Sequence, residues 1–494
     1  MSASVISRSV AFVRVACRGG VALAGVLAAL VAQAQPYPTP PAPAAPRPLA
    51  VQPPVEQKLP NGLRIVLAER RGVRLVTAQL LVLSGSEADP DKLSGLATLT
   101  ATLLTKGTRK HNATALATAA EALGGSLDSG AGWNQTGVSI TVAEPLLDPA
   151  LALVAEAAMQ PSFAQAELDR ARIQALDELK VAYAQPGTVA SRAANRVLYG
   201  AAAYGHPASG TPESLQRITR DDLVTLHRTR FRPDNAVLVL AGDIDAAGAR
   251  RLAAKHFGSW KAPAQRLAAV STVVPDSLTT PVTVIDMPSS GQAAAVLVVP
   301  APPGNTERAV GQITNTVLGG GYSSRINQEI RIKRGLSYGA GSRLDARRQA
   351  GALLASVQTK NESAAEVVGL LQVEFDRLIA TPVPDDELAA RKATLIGAFS
   401  RSVETTAGLA GAVSSLVVIG VSPDDLGKRI DALGAVSAAD VQRYATTYLA
   451  APKRRVVVAG DAAKFGAAMK SLAPAAPAIR LEALDLENGA GLTR

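Results

Sequence analysis

Apolar positions along this chain fall into short runs that stop at turn signals, separated by stretches of helical spacing, and the arrangement occurs twice. In the first half, Asp222-Leu-Val-Thr-Leu opens a short helix that passes Phe231 and feeds the run Ala236-Val-Leu-Val-Leu-Ala, which stops at Gly242-Asp243. In the second, Asp440-Val-Gln-Arg-Tyr passes Tyr448 and feeds Arg455-Val-Val-Val-Ala, which stops at Gly460-Asp461. Both times 21 residues separate the opening Asp from the closing one, so the repeat is legible from spacing alone. Upstream, the spacing predicts helices over Glu167 to Tyr183 and Asp386 to Phe399, and helix starts at Pro212 and Pro423. Lys58-Leu-Pro-Asn61-Gly62-Leu-Arg-Ile-Val-Leu67 reads as a strand, an Asn-Gly turn and a second strand. Alternating strands and helices predict the α+β class, with two homologous domains, 55–261 and 282–475, each a mixed β-sheet with helices packed against it. A connector over 262–281, with prolines at 263, 275 and 281, joins them, and 476–494 is left as a C-terminal tail.

The pattern changes before Val55. Arg8, Arg14 and Arg18 precede an apolar run from Val21 to Val31 and a small-x-small sequence at Ala32-Gln-Ala34, which predicts a cleaved secretory signal over 1–34. The run is shorter than the roughly 20 residues that span a bilayer, which disfavours an uncleaved anchor. The stretch 35–54, with seven prolines between Pro36 and Pro48, reads as an extended tether too poor in large apolar groups to fold. Cys17 is the single cysteine and lies within the signal, so the mature chain has neither disulfide nor thiol chemistry. Export without disulfides predicts a periplasmic location, with no membrane span in the mature chain.

At 494 residues, 47% hydrophobic and 19% charged, the chain has globular rather than disordered composition. Loss of Arg8, Arg14 and Arg18, with no acid, lowers the formal net charge from +10 to +7. The basic residues are scattered rather than interleaved with aromatics, which argues against nucleic acid as a partner.

Candidate chemistry begins with Gly95-Leu-Ala-Thr98-Leu-Thr-Ala101-Thr102-Leu-Leu-Thr-Lys106-Gly107-Thr108. This stretch resembles the active-site helix of the pitrilysin/insulinase-type (inverzincin) metallopeptidases, Gly-Leu-Ala-His-x-x-Glu-His-x-Leu-x-Lys-Gly-Thr. In that motif two histidines four apart share a helix face and grip one Zn²⁺, while the Glu acts as general base. Here Thr98, Ala101 and Thr102 stand at the His, Glu and His positions. A hydroxyl is a poor Zn²⁺ ligand beside imidazole, and a methyl group takes no proton. Glu178, in Leu176-Asp-Glu178-Leu179, matches the family's third ligand; alone it reads more simply as a helix-surface carboxylate. His111, His206, His227 and His256 are far apart and offer no i, i+4 pair. The sequence therefore predicts no metal in this chain, which is not a zinc peptidase by itself.

The second half keeps its signature. Leu318-Gly-Gly-Gly-Tyr-Ser-Ser324-Arg325 leads into Glu329-Ile-Arg331 and on to Gly335-Leu-Ser-Tyr338. This resembles the family's second-half pattern, an Arg and a Tyr seven apart. The resemblance implies a clamshell of two facing halves, with Tyr338 donating to the oxyanion formed at the scissile carbonyl and Arg331 binding the peptide backbone. The bland alternative has Arg331 ending a helix and Tyr338 beginning a strand. By similarity to bacterial relatives built from two different chains, the expected role is the non-zinc subunit of a periplasmic heteromeric peptidase. Its partner would be a homologous subunit carrying H-x-x-E-H and zinc, and its substrate a peptide or unfolded polypeptide. The competing class is a non-catalytic scaffold or peptide-binding protein, similar to the core subunits of respiratory complexes.

Overall fold

The computed structural model describes residues 52–270, 281–472, 478–489 and 492. The predicted signal, nearly all of the tether and part of the connector lie outside the described residues.

Each repeat begins with a side-chain cap. Asp222 and Asp440, which open the repeated pattern, are the third helical residues of capping boxes. The Thr219 hydroxyl accepts the Asp222 N–H at 3.3 Å while the Asp222 carboxylate accepts the Thr219 N–H at 2.8 Å. Ser437 and Asp440 repeat the exchange at 3.1 and 3.0 Å. The capped helices, Arg220–Arg230 and Ala438–Tyr448, deliver the chain to strands β6 (Ala236–Gly242) and β11 (Arg455–Gly460). Both strands end on a glycine in the left-handed region, φ +136° at Gly242 and +158° at Gly460. An added Cβ would stand 2.1 Å from the Leu75 carbonyl oxygen at Gly242, and 2.7 Å from Asn361 Oδ1 at Gly460.

These strands are central to two sheets of matching topology. The first contains β1 (Val55–Lys58), β2 (Arg64–Glu69), β3 (Leu75–Val82), β4 (Asp128–Ala131), β5 (Thr136–Ala143) and β6, in the order β1-β2-β6-β3-β5-β4. The second contains β7 (Val282–Asp286), β8 (Ala293–Ala301), β9 (Ala340–Ala346), β10 (Gly351–Thr359), β11 and β12 (Ala478–Arg480), in the order β12-β7-β11-β8-β10-β9. β2 runs parallel to β6 as β7 does to β11, and the remaining equivalent pairs are antiparallel. The repeat read from residue spacing is thus a repeat of architecture. At the outer edges it breaks down, because β1 is antiparallel to β2 whereas β12 is parallel to β7. The segment set aside as a C-terminal tail therefore supplies a strand, and beyond it Leu486 and Leu492 are buried.

One face of each sheet is covered by helices of its own half, giving two cores that alternate along the strands with period two. The opposite faces are covered by exchange. Helix Pro186–Tyr199, from the first half, lays Val189, Ala193 and Val197 on Ile285, Val296, Val298, Leu354 and Val457 of the second sheet. Helix Thr406–Val418, from the second half, packs on β3, β6 and β2 of the first. There Thr406 shares a hydroxyl contact of 2.9 Å with Thr77, and Ser414 donates to Gln79 at 2.7 Å. The two sequence halves are consequently not independent packing units, since each needs the other's helix to bury a sheet face.

Arg347 and Arg348, in the turn between β9 and β10, fasten the crossing. Arg347, 2% exposed, lies 4.0, 4.6 and 5.0 Å from the rings of Trp133, Tyr199 and Tyr204. It donates to Asp345 at 2.6 Å and to the Tyr204 carbonyl at 3.1 Å. Arg348 reaches the carbonyls of Val418 and Asn134, at 2.9 and 2.8 Å.

Candidate functional site

Helix Leu96–Leu104 starts at Gly95, whose φ of +89° and close approach to Gly210 admit no side chain. Asp89 caps it, accepting the N–H groups of Gly95 at 3.0 Å and Ala97 at 2.7 Å. Burial pushes the Asp89 carboxyl well above the ordinary carboxylate range despite those two donors. On the face where zinc ligands would stand, every polar group is already satisfied by the protein. Thr98 Oγ1 donates to the Ala208 carbonyl at 2.8 Å, and Thr102 Oγ1 donates back to Thr98 O at 3.0 Å. Ala101 is 1% exposed, and its carbonyl accepts from Ser129 at 2.7 Å. Glu178 is exposed on helix Gln165–Tyr183 and accepts from Gln174 at 2.9 Å. Two engaged hydroxyls, a methyl group and one surface carboxylate do not fit a zinc site, which takes four ligands or three plus water.

The four histidines stand in four separate places. His111 pairs with Glu156 at 2.8 Å, and His256 with Asp148 at 2.6 Å. His227 lies between Phe163 and Phe231 and contacts the Ala158 carbonyl at 2.8 Å. His206 stands beside Trp133, with burial lowering its pKa. Among the described residues no group of three His, Cys, Asp or Glu is placed to hold a metal ion.

The second signature is held differently: its base is fastened and its tips are free. Arg325 forms a two-pronged contact with Glu387, 2.8 Å at its shortest, and Arg391 donates to Ser323 O and Oγ, each at 2.6 Å. The chain then runs through the short helix Arg325–Asn327 into a π-helical turn, Gln328–Lys333, closed by the Leu336 N–H on Ile330 O at 3.0 Å. Such turns depart from the ordinary ladder and recur at functional sites. Glu329 is occupied by Lys333 and Arg334. Arg331 has no acidic partner among the described residues, and its guanidinium lies over the Tyr322 ring at 5.3 Å.

Tyr338 does not begin a strand. It sits in the loop before β9, which starts at Ala340, and is 92% exposed. The loop is pinned around it, with Thr359 donating to Leu336 O and Ser337 to Gly339 O, each at 2.6 Å. The ring borders a cleft of about 560 Å³ between this loop, β8, β10 and the first turn of helix Pro186–Tyr199. Gln185, Thr188, Ser191, Gln292, Ser356 and Gln358 supply its polar groups, and none of the lining residues is charged. These amides and hydroxyls belong to both halves and carry no local sequence pattern, so sequence reasoning missed them. The structure therefore places Arg331 and Tyr338 on one segment, and Thr98, Ala101 and Thr102 together on another helix.

Near the crossing, burial raises the Glu87 carboxyl to about 7, against Arg348 and the Gly85 N–H, which favour its charged form. This group too carried no motif.

Residues 64–211 match the family described as "Insulinase (Peptidase family M16)", and residues 217–395 match "Peptidase M16 inactive domain". An uncharacterized zinc protease of Mycobacterium leprae is 28% identical over 353 residues, covering 70% of this chain and 78% of that protein. The crystal structure of a peptidase M16 inactive domain from Pseudomonas fluorescens superposes with a TM-score of 0.77 at 25% identity, covering 82% of this chain and 98% of the other. A protease from Helicobacter pylori gives 0.79 at 20% identity, covering 83% and 100%. The clamshell of two mixed sheets is the arrangement shared with these structures.

Proposed function

The chain belongs to the M16 (insulinase) peptidase family, and on that premise we propose that it is the non-zinc subunit of a periplasmic heteromeric peptidase. The observation that carries this reading is the asymmetry between its two signatures. On the first, Thr98, Ala101 and Thr102 are closed into the protein's own hydrogen bonds and packing. On the second, Tyr338 is 92% exposed on a pinned loop, and Arg331 has no acidic partner among the described residues.

In the complex, a homologous partner with an intact H-x-x-E-H helix supplies zinc and the activated water. This chain supplies donors. Arg331 holds a substrate backbone carbonyl, and the Tyr338 hydroxyl donates to the oxyanion as the scissile carbonyl becomes tetrahedral. Donors aimed at charge that appears in the transition state raise turnover rather than substrate affinity, and loss of one costs about 10²–10³ in rate.

The test is peptidase activity of this chain with an H-x-x-E-H partner: each alone, both together, and both with Arg331→Ala and Tyr338→Phe. Cleavage only by the wild-type pair, abolished by chelation and by the double substitution with assembly intact, is expected. Full activity from the partner alone, or an unaffected double variant, would place the chain among scaffolds. Stoichiometric, tightly bound zinc in this chain purified alone would overturn the reading altogether.

A further inference from the structure

The second half contains another cavity, of about 490 Å³, between helices Arg308–Leu318, Asp385–Ser402 and Thr406–Val418 and the turn Pro423–Leu426. It shares no lining residue with the Tyr338 cleft. Its walls are apolar, chiefly Leu395, Phe399, Leu416 and Leu426, yet two arginines, Arg308 and Arg429, line it as well. Among the described residues neither makes a salt bridge. Arg429 Nε is buried with no hydrogen-bond partner, and its charge rests over the Phe399 ring at 5.1 Å.

The nearby acids are committed elsewhere: Asp425 to Lys428 at 3.2 Å, and Glu307 to Arg443 at 2.5 Å and Tyr448 at 3.0 Å. Burial, followed by the Arg429 charge, pushes the Arg308 guanidinium down to about 10, and burial lowers Arg429 as well. Asp425, itself paired with Lys428, offsets the Arg308 charge only in part, and two partly desolvated like charges with no direct salt bridge among the described residues are an expensive arrangement in an apolar wall. An anion placed between them relieves that cost, and guanidinium forks match carboxylate and phosphate oxygens.

The rest of the cavity specifies what the anion is attached to. The Ser402 hydroxyl donates to Phe399 O at 2.7 Å, and the Ser415 hydroxyl to Gly411 O at 2.8 Å, so both serve their own helices. A peptide lying along Leu395, Phe399 and Leu416 would leave most of its amide groups unpaired beyond the reach of the two arginines and two serine oxygens, at about 1–3 kcal/mol each. A hydrocarbon tail leaves nothing unpaired. We propose that this cavity binds an anionic amphiphile, a carboxylate or phosphate head on an unbranched acyl-type tail. The head sits between Arg308 and Arg429, and the tail runs along Leu395, Phe399 and Leu416.

The experiment is calorimetric titration of the full chain with dodecanoate, dodecyl phosphate, acetate, inorganic phosphate and dodecanol, all below micellar concentrations. Saturable 1:1 binding of dodecanoate or dodecyl phosphate is expected, and the better of the two identifies the head group. Acetate, phosphate and dodecanol should each bind at least about tenfold more weakly, because each lacks the head or the tail. Arg308→Met with Arg429→Met should weaken amphiphile binding by about tenfold or more while the circular dichroism is retained. Absence of saturable amphiphile binding to the wild-type chain, equal binding of dodecanol, or undiminished binding by a folded double variant would overturn the proposal. The wild-type ligand series decides the matter even where the double variant does not fold. The outcome is independent of Arg331 and Tyr338, which lie outside this cavity.

Discussion

Replacing Arg347 by Met should loosen the joint between the two halves. The guanidinium is 2% exposed, stacked among Trp133, Tyr199 and Tyr204 and bonded to Asp345, the Tyr204 carbonyl and Asn195. Met preserves most of the apolar stem but removes the charge and every donor. Hydrogen bonds from a charged donor contribute about 1.5–3 kcal/mol each, and a desolvated cation–π contact up to about 2. Such terms share one group and do not add. Asp345 is about a quarter exposed, so water recovers part of what it loses. The expected cost is therefore about 3–5 kcal/mol, the range for breaking a buried pair from one side.

The assay is urea denaturation followed by tryptophan fluorescence, in which Trp133 reports on the cage and Trp260 on the first core. The midpoint should fall with the slope unchanged, and both probes should move together, because the exchanged helices tie the two sheets into one unit. Arg347→Lys should recover less than half of the loss, since a compact ammonium cannot lie among the three rings and also reach Asp345, the Tyr204 carbonyl and Asn195 as the guanidinium fork does. A loss below about 1 kcal/mol for Met, or full recovery by Lys, would refute this account of the joint.

Other expectations concern separate sites. Arg331→Ala and Tyr338→Phe should leave stability within about 0.5 kcal/mol of wild type, because Tyr338 is 92% exposed and Arg331 makes no salt bridge among the described residues, only a 5.3 Å contact with the exposed Tyr322 ring; a larger loss in thermal denaturation would make the segment structural. Glu87 keeps its proton in the folded chain up to about pH 7, against about 4.5 when unfolded. Its contribution is thus fully present below pH 4.5 and is lost as pH rises through 7, by no more than about 3 kcal/mol. His206, lowered by burial, acts in the opposite sense. The readout is therefore the difference between wild type and Glu87→Gln in denaturation at pH 5 and 8, which should change with pH, and a constant difference would contradict the assignment. Gly242→Ala should cost on the order of 3 kcal/mol and Gly460→Ala less, following the closeness of the atoms that an added Cβ meets; equal and small shifts in melting temperature would disprove it.

Much of this protein was written in its sequence. The recurrence of a capped helix, an apolar strand and a terminal glycine is local chemistry, since Asp222 and Asp440 cap within three residues and Gly242 and Gly460 relieve a clash at the strand's own end. The reading of Thr98, Ala101 and Thr102 at the His, Glu and His positions of the zinc motif is equally local, because ligand and base chemistry belong to residue type and the four-residue spacing to the helix. Placement of the long-range partners was left to tertiary structure. Helix Thr406–Val418 is apolar around most of its surface, and nothing in its pattern says which sheet it will cover. The amphipathic helix Pro186–Tyr199 declares a buried face but not that the face belongs to the opposite half. The segment after residue 475 joins a sheet by backbone pairing, which requires no motif. Arg347 acquires its meaning from rings more than 100 residues away that meet it only when the halves close, and Arg308 and Arg429, 121 residues apart, meet only when the helices of the second half pack. Spacing and residue type set what each segment can be; burial against distant segments set which charges are caged, which are left unpaired, and which tips, such as Tyr338, remain in the open.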